Sequence, residues 1–321
     1  MVVTGPIWSF GLPALAGFNV VWFGAFDGHA GQSVDPAQWN IITKYSPPPR
    51  LPKPCCTDTL SHPHSPSVHY NNEVQEYTTS TDNLQISGNG ALQIIPRKSA
   101  SGQWTSARIE SKAAYTAEAG KTTRFQALLR FGDTLREKQQ GVWPAFWMLG
   151  ESSRQGMPWP ECGELDIMER INGDARGHGT LHCGLGDVPC GAMTESVPLP
   201  DNGWHTWALE IDRSVADWNA QSVSWFLDDN KYSVVKGSDV KDEGIWEALA
   251  QSPMYFILNV AVGGNWCVCL FANLLSDPLS GKGDDFRTDT EQTHRPGNPN
   301  NQTADGLSSM MEVMYIAVYS K

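Results

Sequence analysis

Short alternations of apolar and polar residues recur along the chain and predict a protein built mainly from β-strands. Residues 123–131, 204–211 and 223–228 show this pattern. Alternate side chains of a strand point to opposite faces, so each such segment is expected to bury one face. Residues 254–262 are almost all apolar, which is typical of a strand covered on both faces.

Turn signals separate these segments. Residues 84–86 and 91–95 flank Gly88-Asn89-Gly90, which predicts a β-hairpin. Residues 245–250 form the one short stretch that favours a helix or turn, and no internal repeat is visible. Strands thus outnumber helices heavily, which predicts an all-β sandwich of two packed antiparallel sheets, a jelly roll.

One predicted strand carries only acids at its polar positions. It is Glu164-Leu165-Asp166-Ile167-Met168-Glu169. Glu164 and Asp166 share a face, whereas strict alternation would turn Glu169 to the opposite one. One extra residue at Ile167 or Met168, a β-bulge, would bring Glu169 back beside the first two acids.

Three acids on one face of a strand are costly unless they serve a reaction. Like charges this close raise one another's pKa, so at least one carboxyl is expected to hold a proton near neutral pH. A carboxylate beside a carboxylic acid is the pair that glycoside hydrolysis requires. A solvated acidic face on an edge strand is the alternative, and the pattern of the three acids alone leaves both interpretations open.

Five blocks in fixed order resemble glycoside hydrolase family 16. The acidic stretch is similar to the bulged, laminarinase-like form of that family's signature. The resemblance covers about residues 20–266 and resumes at the C-terminus. The other four blocks are Gly141-Val142-Trp143-Pro144-Ala145-Phe146-Trp147, Gly179-Thr180-Leu181-His182, Gly203-Trp204-His205-Thr206 and Asn259-Val260-Ala261-Val262-Gly263-Gly264-Asn265-Trp266.

The resemblance implies a concanavalin-like jelly roll and a role for each acid. Glu164 is expected to be the nucleophile, Glu169 the general acid and then the base, and Asp166 the neighbour that keeps Glu164 suited to attack. The bulged motif favours retaining, endo-acting cleavage of β-1,3-glucan, with mixed β-1,3-1,4-glucan possible. The alternatives are a non-catalytic β-glucan-binding protein on this fold and an endo-acting galactan hydrolase.

The resemblance also implies six substrate-binding side chains. Aromatic faces suit the C–H groups of a sugar ring, and Trp159 lies five residues before Glu164, where similar laminarinases stack a Trp on the sugar. His182 follows the acidic strand by one hairpin, so the two strands could pair. The expected set is Trp147, Trp159, His182, Asn72, Arg108 and Trp266.

Composition narrows the class of partner. The chain has 321 residues, 23 Lys plus Arg, 35 Asp plus Glu, a net charge of -12 and 13 Trp. An acidic chain rich in Trp suits a neutral polysaccharide and disfavours nucleic acid. No charge-free apolar run reaches 18 residues, so no membrane partner is expected. We expect a monomer without a cofactor.

No metal is expected either. The cysteine pairs Cys55-Cys56 and Cys267-x-Cys269 lack companion ligands at zinc-site spacing. Family members often carry acids that help to bind structural calcium, but Gly24, Ala25 and Met314 stand at those places here.

The expected organisation is one catalytic β-sandwich over residues 18–321. It follows an N-terminal segment, residues 1–17, of uncertain status. The Pro-rich stretch 45–68 and the polar stretch 267–294 are predicted insertions, and the second interrupts the family pattern directly after Trp266.

The compartment follows mainly from the resemblance. Residues 1–17 are apolar but contain no Lys or Arg, so they make a poor signal peptide. Seven Cys is an odd number, and Cys183 and Cys190 could close a loop. Because the family is mostly secreted, an extracellular or cell-wall location is expected.

Overall fold

Two large antiparallel sheets dominate the architecture. The computed structural model describes residues 14–43, 71–185, 188–264 and 297–321. Within these ranges there are an eight-stranded sheet, a seven-stranded sheet and a small three-stranded sheet. No helix in the described part of the chain combines the length and the apolar character that crossing a membrane would require.

The strands are numbered in chain order. They are β1 (Asn19–Ala25), β2 (Trp39–Ile41), β3 (Gln75–Tyr77), β4 (Leu84–Ile86), β5 (Leu92–Ile94), β6 (Arg97–Lys98), β7 (Trp104–Ser106), β8 (Arg108–Tyr115), β9 (Thr122–Phe131), β10 (Val142–Gly150), β11 (Glu164–Glu169), β12 (Arg176–Leu185), β13 (Val188–Pro198), β14 (His205–Asp212), β15 (Ser222–Leu227), β16 (Asn230–Lys236), β17 (Met254–Val262) and β18 (Met311–Ser320).

The acids lie on the seven-stranded sheet, here named the front sheet. Its order is β13-β12-β11-β10-β17-β8-β2. The eight-stranded back sheet runs β16-β15-β14-β9-β18-β5-β4, and β1 also pairs with β18. The small sheet is β3-β7-β6. The predicted hairpin is confirmed as the antiparallel pair β4–β5.

Within the described residues, helical structure is limited to short pieces. Helix α1 is Gly237–Val240 and helix α2 is Glu243–Trp246. A π-turn, Glu247–Gln251, extends α2, so the helix predicted over 245–250 is confirmed in part and begins two residues earlier. Four single 3-10 turns complete the set, at Arg136–Lys138, Glu151–Gln155, Trp218–Ala220 and Gly306–Ser309.

The main core lies between the two large sheets. The apolar positions of β11, which are Leu165, Ile167 and Met168, are fully buried there. Two back-sheet rings, those of Trp207 and Trp225, press against β12 so closely that its facing residues are glycines, Gly177 and Gly179. A Cβ at Gly177 would lie 2.1 Å from the Trp207 ring, so no larger residue fits without displacing the indole.

The two-sheet sandwich confirms the fold predicted from alternation. Several expectations lie outside the described residues. They concern Trp266, most of the segment 1–17, the two insertions 45–68 and 267–294, and the four cysteines Cys55, Cys56, Cys267 and Cys269.

Candidate active site

A β-bulge interrupts the pairing of β11 with both of its neighbours. Along β10, Phe146 pairs with Met168 and the next residue, Trp147, pairs with Asp166. Ile167 is therefore the extra residue. The register between β11 and β12 shifts over the same stretch, between Asp166 and Glu169. Of the two positions that the sequence allowed, the bulge occupies the first.

The bulge brings the third acid to the face of the other two. Glu164 pairs with Leu149, Asp166 with Trp147 and Glu169 with Ala145. Directly paired residues point to the same side of a sheet, and these three partners alternate along β10. All three acids consequently lie on the outer face of the front sheet, whereas Ile167 and Met168 both face the core.

An indole from the back sheet supports the bulge from below. Trp225 Nε1 donates a hydrogen bond of 2.8 Å to the backbone carbonyl of Asp166, the residue just before the bulge. A bulge disrupts the ladder locally and leaves backbone groups in need of other partners. Trp225 is buried, so its indole supplies such a partner from inside the core.

Glu164, Asp166 and His182 form one compact group above the sheet. His182 pairs with Glu164 in register. Its Nε2 lies 3.2 Å from Asp166 Oδ2 and 3.6 Å from Glu164 Oε1. The Asp166 side chain is only 5% exposed, whereas those of Glu164 and His182 are 15% and 14% exposed. Asp166 is thus the deepest member, and the other two reach the solvent side.

Burial and mutual repulsion set the protonation of these acids. Burial, and then the neighbouring charges of Asp166 and Glu169, raise the pKa of Glu164 to about 8, although His182 and Arg108 pull it down. Burial also raises the pKa of Asp166 well above its usual range. The pair therefore retains a proton near neutral pH, as the sequence predicted for clustered acids.

Two tryptophan indoles hold the two outer carboxyls. Trp159 Nε1 donates to Glu164 Oε2 at 3.2 Å, and Trp143 Nε1 donates to Glu169 Oε1 at 3.0 Å. The Trp159 ring also lies beside the His182 ring, with centroids 5.7 Å apart. Both outer acids are thereby fixed in orientation by neutral donors.

The wall next to the acids is built by β10, β17 and β8. Trp147 is half-buried, and its Nε1 donates to Asn259 Oδ1 at 2.8 Å. The guanidinium of Arg108 lies 4.8 Å from the centre of the Trp147 ring and forms a buried ion pair with Glu110 at 2.8 Å. Asn259 and Arg108 are direct partners across β17 and β8, so they share the face of the acids.

Comparisons with known proteins find similar chains. A family model described as XgeA-like, catalytic GH16 domain, matches residues 67–198. Glucan endo-1,3-beta-glucosidase of Cryptopygus antarcticus is 32% identical over 61% of this chain and 72% of its own length. The structure of endo-1,3-beta-glucanase from Streptomyces sioyaensis is 31% identical, with a TM-score of 0.76 over 97% of this chain and 99% of that one.

The chain belongs to glycoside hydrolase family 16. The resemblance in the sequence is therefore confirmed. Other relatives are longer than this chain, which spans 35% of glucan endo-1,3-beta-glucosidase A1 of Niallia circulans at 28% identity.

The family's expected substrate-binding residues fall into three groups in the structure. Trp147, Trp159, His182 and Arg108 lie around the acids through the contacts given above. Asn72 is exposed in the turn before β3, with a left-handed φ of 61°, and the described contacts do not link it to the acids. Trp266 lies outside the described residues, and the role of each residue stays a prediction.

Sequence reasoning missed two polar residues of this wall. Asn259 is the one side-chain amide in the apolar strand β17, and its isolated position there was the signal that it belongs to a functional site. Glu110 lies two residues after Arg108 on β8, so the alternation of that strand already placed both on one face. The hydroxyl of Tyr77, whose pKa burial raises, also lies beside Asn259.

A single cluster in the described ranges has the donors for a cation. The ligand atoms of Glu164, Asp166 and His182 all lie within 4.8 Å of one another. Glu164 and Asp166 belong to the acidic stretch that resembles the family signature, and His182 pairs with Glu164 across the two strands. The expectation that no metal is bound stays a prediction.

Proposed function

We propose that this chain is a retaining, endo-acting glycoside hydrolase that cleaves β-1,3-glucan, with mixed β-1,3-1,4-glucan as a further substrate. The observation that carries the proposal is the bulge at Ile167, which aligns Glu164, Asp166 and Glu169 on the outer face of the front sheet. The names of the relatives from Cryptopygus antarcticus and Streptomyces sioyaensis support the choice of β-1,3-glucan.

The first step forms a covalent intermediate. The carboxylate of Glu164 attacks the anomeric carbon while Glu169 gives its proton to the departing glycosidic oxygen. In the second step the Glu169 carboxylate takes a proton from water, whose oxygen attacks the anomeric carbon and releases Glu164. Two inversions retain the β-configuration.

Asp166 holds the proton that Glu164 must give up before it attacks. Asp166 is the more deeply buried of the two, and its charged form gains less from solvent. A neutral Asp166 removes the like charge that raises the pKa of Glu164. His182, within 3.6 Å of both carboxyls, adds attraction for the ionised nucleophile.

Aromatic and polar groups beside the acids suit a neutral glucan. Trp147 and Trp159 offer half-buried ring faces, while Asn259 and the Arg108–Glu110 pair offer hydrogen-bonding groups next to them. The ion pair keeps the Arg108 charge locally balanced, so the wall presents no strong field that would select a sulfated polymer.

Product release from laminarin, lichenan and agarose tests the proposal. Wild-type protein should release reducing sugars from laminarin in preference to agarose, and Glu164→Gln should bind laminarin without cleaving it. The control is Glu118→Gln, which removes an exposed acid between β8 and β9. Binding of laminarin by wild type without cleavage would instead indicate a glucan-binding protein.

We further propose that the protein acts outside the cell, at the cell wall, as a monomer. A disulfide joins Cys183 to Cys190, and such bonds are typical of oxidising compartments. Fractionation of cells that produce the protein, followed by size determination of the secreted material, tests both parts. Reduced protein confined to the cytosol, or a stable dimer, would contradict them.

A further inference from the structure

Trp143 points its indole N–H at the acid that the proposed mechanism uses twice. The Nε1–Oε1 distance to Glu169 is 3.0 Å, and both side chains are almost fully buried, at 7% and 5% exposure. A hydrogen bond to an ionised acceptor is roughly twice as strong as one between neutral groups. The contact therefore favours the carboxylate form of Glu169.

The contact exists because of the bulge. Trp143 lies two residues before Ala145 on β10, and Ala145 is the direct partner of Glu169. Without the extra residue at Ile167, Glu169 would turn toward the core, away from this face. The indole is in turn held by its packing against Ile171 and Ala261. Its position is set by the fold and needs no substrate.

We propose that Trp143 is a positioning residue that holds the Glu169 carboxyl in place and stabilises the negative charge that this group gains as it protonates the leaving oxygen in the first step. The inference rests on the proposed retaining mechanism and adds a role that differs between its two steps. In the first step Glu169 ends as a carboxylate. In the second it begins as one and must accept a proton, so the same hydrogen bond lowers its strength as a base.

Other charged groups near Glu169 remain in place when Trp143 is changed. Glu164 and Asp166 lie on the same strand, and His178 faces Glu169 from β12. Arg108 and Glu110 lie on the same face of the front sheet, on β8, with β10 and β17 between them and the acidic strand. A substitution of Trp143 therefore alters one neutral donor and no charge, which makes a change in pH profile interpretable.

The test is Trp143→Phe with two substrates. On laminarin, kcat should fall about 10- to 100-fold, the usual loss for a hydrogen bond to a charged group, and the alkaline limb of the kcat/KM profile should move to higher pH. With 2,4-dinitrophenyl β-laminaribioside, whose leaving group needs no proton, the burst of dinitrophenolate should change by less than about 3-fold. The steady-state rate after the burst, which the second step limits, should fall less than the rate on laminarin, because loss of the donor makes Glu169 a stronger base.

The control is Trp246→Phe, which also removes a buried indole and its hydrogen bond, here to Gln221, away from the acids. It should leave the pH profile unchanged. If Trp143→Phe does not fold, Trp143→Met, with a flexible apolar side chain, takes its place.

An unshifted alkaline limb, or a burst and steady state that fall together, would overturn the role of Trp143. Wild-type protein that fails to cleave laminarin would instead overturn the proposed function, so the two failures are distinguishable.

Discussion

At the scale of single residues, burial disfavours the charged form of the acids on the front sheet. Glu164 and Asp166 both have raised pKa values in the folded protein, chiefly because of burial. A carboxyl that binds its proton more tightly when folded stabilises the fold while it stays protonated. This contribution is complete below the unfolded pKa and is lost as pH rises through the folded one.

Glu164→Gln should accordingly change how stability depends on pH. The effect falls in the pH window between about 4.5, the usual pKa of a glutamate, and about 8, the raised pKa of Glu164 in the folded protein. The variant should gain melting temperature relative to wild type at pH 8, and gain less at pH 5, because Gln needs no proton to stay neutral. Thermal unfolding at both pH values checks this, with exposed Glu118→Gln as the control. An equal difference in melting temperature between variant and wild type at pH 5 and pH 8 would contradict the assigned burial effect.

The bulged strand is the element on which the site depends, and the sequence predicted it only in part. The order of acids and apolar residues in β11 is a local signal, so the sequence alone showed that one extra residue is needed to bring Glu169 to the face of the other two acids. The choice of Ile167 over Met168 depends on register with β10 and β12. The donor from Trp225 arises from packing between sheets, about sixty residues away in sequence, which no local pattern reports.

Trp225→Phe should destabilise the backbone of the bulge. It removes the hydrogen bond to the Asp166 carbonyl and part of a buried ring, so we expect a loss of about 2–4 kcal/mol in the free energy of unfolding. Denaturant unfolding measures that loss, and activity of the folded variant should fall at least about 10-fold if the acids shift. Trp246→Phe is the matched control, with similar destabilisation and full activity. Equal activity in both variants would contradict a link between Trp225 and the bulge.

The β12–β13 hairpin carries His182 at one end of the site, and a disulfide closes it. Cys183 directly follows His182, and Cys183 and Cys190 are 7 apart in sequence. Closure of a loop this short is worth about 2.5 kcal/mol in the chain-entropy account. Cys162 is buried and its thiol pKa is raised to about 12, so it is a poor competitor for exchange.

The double variant Cys183→Ser/Cys190→Ser should therefore unfold at a lower denaturant midpoint. Wild type treated with a reductant should move toward the same midpoint, and the double variant should respond less than wild type. A wild-type midpoint insensitive to reductant, with the bond shown to be reduced, would contradict a stabilising role.

At the scale of the whole molecule, sequence patterns predicted the two-sheet fold because alternation and turn signals repeat in nearly every strand. The wall next to the acids was harder to predict from the sequence. Asn259, Glu110 and Trp143 come from three strands that meet only after folding. Their partners are fixed by strand order, β10-β17-β8, which a single sequence does not state.

In the proposed reaction, the bulged strand presents Glu164 as the nucleophile that forms a covalent intermediate. Incubation with a 2-deoxy-2-fluoro laminaribiosyl donor, followed by proteolysis and mass spectrometry of the peptides, tests it directly. The account predicts one fluoroglycosyl adduct, on Glu164. An adduct on Asp166 or Glu169, or turnover of laminarin without any covalent adduct, would contradict it.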